Sequence, residues 1–185
     1  IDEVDEIIIY CSSEKIEDYI DKSLKYKFLQ RDCSMDNNSV SIDTIIDSFL
    51  SNYDTDIIIL IHPNSPFLSC STLRECLSKV IYGEYQTSFT AYKFQKLSWF
   101  CDKPLNYSLD KSTPHLKDLE PVIIEQSSLY VFTKEAFKRF GKRVDDRPYI
   151  KFINHFEGLE IVNKEDFEIA ELIVNSGMYP KVEDE

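Results

Sequence analysis

The stretch DIIILIHPNSPFLS, residues 56–69, sets the most apolar run of the chain against a loop with two prolines, a histidine, an asparagine and two serines. A short aliphatic run that stops at turn formers reads as a strand buried on both faces, here residues 56–61. The carboxyl end of such a strand is where an open α/β sheet receives its ligand, and also where any ordinary loop begins. The flanking segments must decide between the two.

Upstream, EIIIYC (6–11) is a second continuous apolar run. SSEKIEDYIDKSL (12–24) follows, with Ile16, Tyr19, Ile20 and Leu24 at helical spacing behind its serines. YKFLQ (26–30) reads as a short strand. SIDTIIDSFLSNY (41–53) places Ile42, Ile45, Ile46, Phe49 and Leu50 on one helical stripe, with Ser41 or Ser39 as cap. Downstream, STLRECLSKVIY (71–82) is a helix, and Thr72 and Glu75 have capping-box spacing. Strands alternating with helices predict an α/β fold: an open, mainly parallel sheet with helices on both faces, holding runs 6–11 and 56–61 together.

After Gly83 the rhythm changes. TSFTAYKF (87–94) alternates as a strand, and 101–121 is a long polar stretch with three prolines. SSLYVFT (127–133), PYIKFI (148–153) and LEIV (159–162) read as further strands. The last helix, KEDFEIAELIVNSG (164–177), has Asn163 to cap it and Gly177 to end it. Phe167, Ala170, Leu172, Ile173 and Val174 form its expected buried face. Residues 1–179 are expected to make one domain, and 180–185 an acidic, frayed tail.

The 185 residues carry a net charge of −12, with 33 acids against 21 bases, which argues against a nucleic-acid or acidic-membrane surface. A local cluster could still bind a small anion. Five cysteines without a CxxC pair read as reduced thiols in a cytoplasmic protein rather than as zinc ligands. No apolar run approaches the ~20 residues of a membrane span, and no signal peptide is evident. A first residue of Ile rather than Met raises the expectation that something precedes it in the native gene product.

Taken together, IIIYCSSEKIEDYI, SIDTIIDSFL and DIIILIHPNSPFLS resemble the CMP-sugar synthetases, the cytidylyltransferases that activate sialic and related nonulosonic acids. His62-Pro63-Asn64-Ser65-Pro66 stands where that family has Q-P-T-S-P. KPLNYSLDKSTPHLKDLEPVIIEQSSLYVFTKEAF (103–137) resembles the family's polar loop leading to a Glu, a small residue and a strand. FEGLEIVNKEDFEIAEL (156–172) resembles its C-terminal D-I-D-T-x-x-D-F-x-x-A-E signature. The resemblance covers nearly the whole chain in the right order.

It implies a nucleotide-diphospho-sugar transferase fold and transfer of CMP from CTP to a nonulosonic acid, with release of pyrophosphate. It also implies Mg²⁺ and a homodimer, in which 94–121 is the projecting segment. The residues it places on the sugar side are His62, Asn64, Ser65, His115, Lys117 and Glu125. Glu160 falls at a metal position, whose partner position is Val162, a side chain with no oxygen. No catalytic residue is assigned.

The departures are specific. Family enzymes open on a strand and a Gly/Arg/Ser/Lys loop that cradles the CTP phosphates, and this chain starts at what would be the second βα unit. Omitting that first strand would leave a central sheet position empty. His62 replaces a Gln, and His115 replaces an Arg suited to a carboxylate fork. Each residue has a plainer reading. His62 can be a polar loop residue, Asn64 and Ser65 turn formers, and Glu125 a strand-flanking charge. The basic run KRFGKRVDDR (138–147) can be a solvated helix end. Phe94, Trp99 and Phe100 read as core or dimer contact. Two other functions therefore stand beside the enzyme: a non-catalytic binding or assembly module, and transfer of another nucleotide or sugar.

Overall fold

The computed structural model describes residues 3–177. Its central sheet has four strands in the order β3 (Ile57–Ile61), β7 (Val122–Thr133), β4 (Thr87–Phe94) and β8 (Tyr149–Phe152). β7 runs antiparallel to both β3 and β4, and β8 is parallel to β4, so three of the four strands share one direction.

Alternation along the strands sends successive side chains to opposite faces, and each face carries helices. On one face Ile58, Phe89, Ala91, Tyr130 and Phe132 pack with Ile46 and Leu50 of α1 (Ile42–Asn52) and Phe137 of α3 (Lys134–Phe140). On the other, Leu129, Val131, Ile57 and Ile59 pack with Cys76, Leu77 and Val80 of α2 (Cys70–Ile81). Burial pushes the Cys76 thiol up to about 12, so it stays a protonated packing group. A smaller cluster joins Phe67 of the loop after β3 to Ala170 and Ile173 of α4 (Lys164–Ser176). No described helix is long and apolar enough to cross a membrane.

The caps follow local chemistry. Ser41, not Ser39, caps α1 by accepting a bond from the Thr44 N–H at 3.1 Å. α2 is capped by Ser69, one turn ahead of the expected Thr72 box. Thr72 is buried instead, and Glu75 is drawn away to Tyr149 and to Lys151 at 2.5 Å. In α4 the Asn163–Asp166 capping box forms, and Gly177 ends the helix at φ 66°.

Four expectations need correction. Strand 6–11 does not join the sheet of 56–61. Its ordered part, β1 (Ile8–Cys11), pairs only with β2 (Lys27–Gln30), in a separate parallel pair. Residues 12–24 form no α-helix but a short 3-10 helix, Glu14–Tyr19, without a buried residue. A two-stranded sheet offers their stripe too little apolar surface, and a helix this short is marginal without packing. Residues 159–162 are irregular rather than a strand. On α4, Phe167, Leu172 and Val174 are exposed, because the neighbour is one small cluster around Phe67 rather than a broad sheet face. The expected tail 180–185 lies outside the described residues.

The 95–121 connection is built on a short hairpin, β5 (Trp99–Phe100) with β6 (Lys103–Pro104). Its turn holds Cys101 and Asp102 at positive φ. Trp99, Phe100, Leu105 and Leu109 all stand exposed on this segment.

Candidate functional site

The loop after β3 is held by the segment that leads into α4. The Ser65 N–H donates to the His62 carbonyl at 3.1 Å, closing a turn over Pro63 and Asn64. The Asn64 carbonyl accepts from Ile161 N–H at 2.8 Å, and its amide donates back to the Ile161 carbonyl at 3.4 Å. Ser69 donates its N–H and its hydroxyl to Glu157 Oε1, at 3.0 and 2.7 Å. Gln126 of β7 donates to the Gly158 carbonyl. These ties bring 62–69, 126–128 and 157–162 to one end of the sheet.

A bulge supplies the donor at its centre. The β4–β7 register jumps from Phe89 opposite Tyr130 to Thr90 opposite Gln126, so 127–129 stand out of that ladder. The buried Thr90 hydroxyl bridges the break to the Gln126 carbonyl and to Ser128 Oγ. The Ser127 N–H, released from pairing with β4, donates to Glu160 Oε1 at 2.8 Å. Glu160 is thereby aimed by the backbone.

Beside it lies a charged triad that spacing did not reveal. The Tyr130 hydroxyl donates to Glu125 Oε1 at 2.5 Å. The Arg143 guanidinium sits 4.0 Å over the Tyr130 ring, donates to its hydroxyl at 3.1 Å and stands 3.8 Å from Glu125. Burial, then the hydrogen bond to Glu125, raises the Tyr130 phenol far above its ordinary range. Glu125 and Arg143 line an open cleft of about 210 Å³ with Lys142, Val144 and the first residues of α1, Ile42 and Asp43. The one sequence signal was the basic run 138–147. Lys138 and Arg139 do end α3 as solvated cations, whereas Arg143 lies beyond the Gly141 cap and turns back to the sheet.

His62 connects the two groups electrostatically. Burial holds its imidazole below the ordinary 6.5, Arg143 adds to the effect, and Glu160 opposes it. His62 Nε2 and Ser65 Oγ are both buried without a hydrogen-bond partner among the described residues. Two orphaned buried polar atoms are where a ligand's hydroxyls or a water would bond. Above pH 6.5 His62 is neutral in both folded and unfolded chains. Below it the unfolded chain takes up a proton that the folded site resists, so stability falls as pH drops from 6.5 toward the lowered folded value. Denaturant midpoints measured from pH 7.5 to 5 should therefore fall more steeply for the wild type than for His62→Asn. Parallel curves would show that His62 is freely protonated in the fold.

His62, Asn64, Ser65, Glu125 and Glu160 thus gather at one end of the sheet. His115 and Lys117 do not join them: both are exposed at the turn Leu116–Asp118, with no described hydrogen bond or ion pair to the other five. Val162 is 76% exposed, and its N–H donates to Asp166 at 2.9 Å. No group of three or more His, Cys, Asp or Glu side chains that could hold a metal occurs among the described residues. Glu160 is the carboxylate available at the expected metal position.

The geometry defines a nucleotide-diphospho-sugar transferase fold, and solved structures share it. A 4-diphosphocytidyl-2C-methyl-D-erythritol synthase from Anaerococcus prevotii matches with a TM-score of 0.64 at 15% identity, over 94% of this chain and 83% of that one. A CMP:2-keto-3-deoxy-manno-octonic acid synthetase complexed with CTP matches at 0.65 and 9% identity, over 94% and 82%. The bifunctional IspDF of Campylobacter jejuni matches at 0.61 and 11% identity, over 89% of this chain and 41% of that one. No protein-family model matches the chain, and no curated protein matches it in sequence. The chain therefore has the fold that these three proteins share. The narrower resemblance to sialic-acid synthetases finds no counterpart among these three structures.

Proposed function

We propose that this chain is a CTP-dependent nucleotidyltransferase that makes a CMP-sugar from a sialic or related nonulosonic acid. The observation that carries the reading is the convergence of His62, Ser65, Glu125 and Glu160 at one end of the sheet, with Arg143 beside them. Ligands of open α/β sheets bind at such strand ends.

In the reaction, the anomeric hydroxyl oxygen of the sugar acid bonds to the α-phosphorus of CTP. The bond from that phosphorus to the bridging oxygen breaks, pyrophosphate leaves with the electron pair, and the hydroxyl proton passes to solvent. His62 and Ser65 supply the polar atoms that orient the sugar. Arg143, anchored on Tyr130, supplies fixed positive charge facing the cleft. Mg²⁺, held by Glu160 with waters and substrate phosphates, would neutralise the triphosphate. His115 and Lys117 would reach the sugar only if their turn moves inward. The enzyme is cytoplasmic in this reading, and the exposed Trp99–Leu109 surface pairs two copies.

The alternative is a binding or assembly module that keeps the fold without turnover. The solvent-facing Val162 and the single carboxylate at the metal position favour it. Pyrophosphate release from CTP with a nonulosonic acid, over a Mg²⁺ titration of the full native polypeptide, separates the two. The enzyme reading expects turnover, and expects Val162→Asp to lower the Mg²⁺ requirement. If wild type and variant are both inert throughout, the module reading replaces it.

A further inference from the structure

The cleft beside Tyr130 carries both signs of charge. Its lining joins two bases, Lys142 and Arg143, to two acids, Glu125 and Asp43, with Ile42 and Val144 as the apolar part. These charges are not satisfied by one another. Arg143 gives its hydrogen bond to the Tyr130 hydroxyl and stands 3.8 Å from Glu125, beyond hydrogen-bond length. Glu125 Oε1 accepts from that same hydroxyl, and Oε2 has no partner among the described residues. The side chains of Lys142 and Asp43 make no described hydrogen bond or ion pair either.

Three of the four charges are rooted in fixed elements. The Arg143 side chain is 21% exposed and lies over the Tyr130 ring, so it leaves the cleft only by giving up that ring. Glu125 belongs to β7, and Asp43 to the first turn of α1. Arg143 also acts on the His62 imidazole, which places the cleft beside the orphaned atoms of the loop after β3. Sugar acids of different charge meet this quartet differently. One bringing only a carboxylate gains the two bases but faces two carboxylates. One bringing a carboxylate and an acetamide takes water from Glu125 and Asp43 without supplying a counter-charge. One bringing a carboxylate and an ammonium gives every charge an opposite partner.

We propose that this cleft selects a zwitterionic sugar acid, whose carboxylate faces Arg143 and Lys142 and whose free ammonium substituent faces Glu125 and Asp43. The inference deepens the nucleotidyltransferase reading, and rests on it for the sugar-acid ring. Ile42 and Val144 cover ring carbons between the two charged groups. Selection against the N-acylated sugar comes from the two acids, which an amide cannot neutralise.

Two probes that differ at one group test this. The methyl glycosides of neuraminic acid and of N-acetylneuraminic acid share their ring and carboxylate. At neutral pH the first carries an ammonium where the second carries an acetamide. Neither has a free anomeric hydroxyl, so neither is consumed, and calorimetry on the full native polypeptide reads binding alone. The neuraminic acid glycoside should bind on the order of 10-fold tighter, as a charge-assisted hydrogen bond provides, with a preference that shrinks as salt is raised. Glu125→Gln keeps an oxygen for the Tyr130 hydroxyl, and Asp43→Asn removes a charge that no described side chain bonds. Each should cut the preference to about 3-fold or less, through the ammonium probe alone. Lys142→Gln should weaken both probes alike. Equal affinities, tighter binding of the N-acetyl probe, or no binding of either overturns the proposal. So does a preference that both Glu125→Gln and Asp43→Asn leave unchanged. Pyrophosphate release is scored separately, so failure of the selectivity and failure of the nucleotidyltransferase reading stay distinct.

Discussion

Phe132→Ala will lower the unfolding free energy by about 3–5 kcal/mol, close to the limit of what a domain of this size tolerates. Phe132 has no solvent exposure. It lies in β7, a strand that pairs on both sides, and packs against Phe137 of α3 with ring centroids 5.8 Å apart. Truncation leaves a ring-sized void between the sheet and α3. The surrounding backbone is pinned by two ladders and cannot collapse into it. Chemical denaturation reads the loss directly. Phe132→Leu, which keeps most of the volume, should recover more than half of it. A loss below 1 kcal/mol for the alanine variant would mean that the α1–α3 face is loosely packed.

The second large effect is expected at Glu160. Its carboxylate accepts the Ser127 N–H, and a glutamine keeps an oxygen in that place while removing the charge. Glu160→Gln should therefore fold with unchanged stability and, under the proposed nucleotidyltransferase function, lose pyrophosphate release on the order of 100-fold. Extra Mg²⁺ should restore part of the activity if the charge serves the cation. If the glutamine variant keeps most of its turnover while Glu160→Ala loses it, Glu160 serves only to position the bulge. The pairing of variants separates charge from geometry, which alanine alone cannot do.

Much of the chain could be read without coordinates. The stripe of Ile42, Ile46 and Leu50 and the cap at Asn163 announce their helices, because helix periodicity and caps depend on residues three or four apart. The strands 57–61, 87–94 and 149–152 were legible for a similar reason: short aliphatic or aromatic-rich segments bounded by turn residues behave alike in most settings. The segment 12–24 shows where such reasoning stops. Its stripe is as regular as that of α1, but a stripe becomes a helix when a partner surface buries it, and its neighbours form only a two-stranded sheet.

The candidate site divides in the same way. His62, Asn64, Ser65, Glu125 and Glu160 could be named from their positions at strand ends and in loops. Their convergence could not, since it depends on a bulge at 127–129, on two bonds between Asn64 and Ile161 and on the return of Arg143 to Tyr130. Those contacts join residues 13 to 97 positions apart. Local composition carries the propensity of each segment. Which segments meet, which edges pair and which charges face one another follow from burying both faces of one sheet, an outcome that the whole chain settles at once.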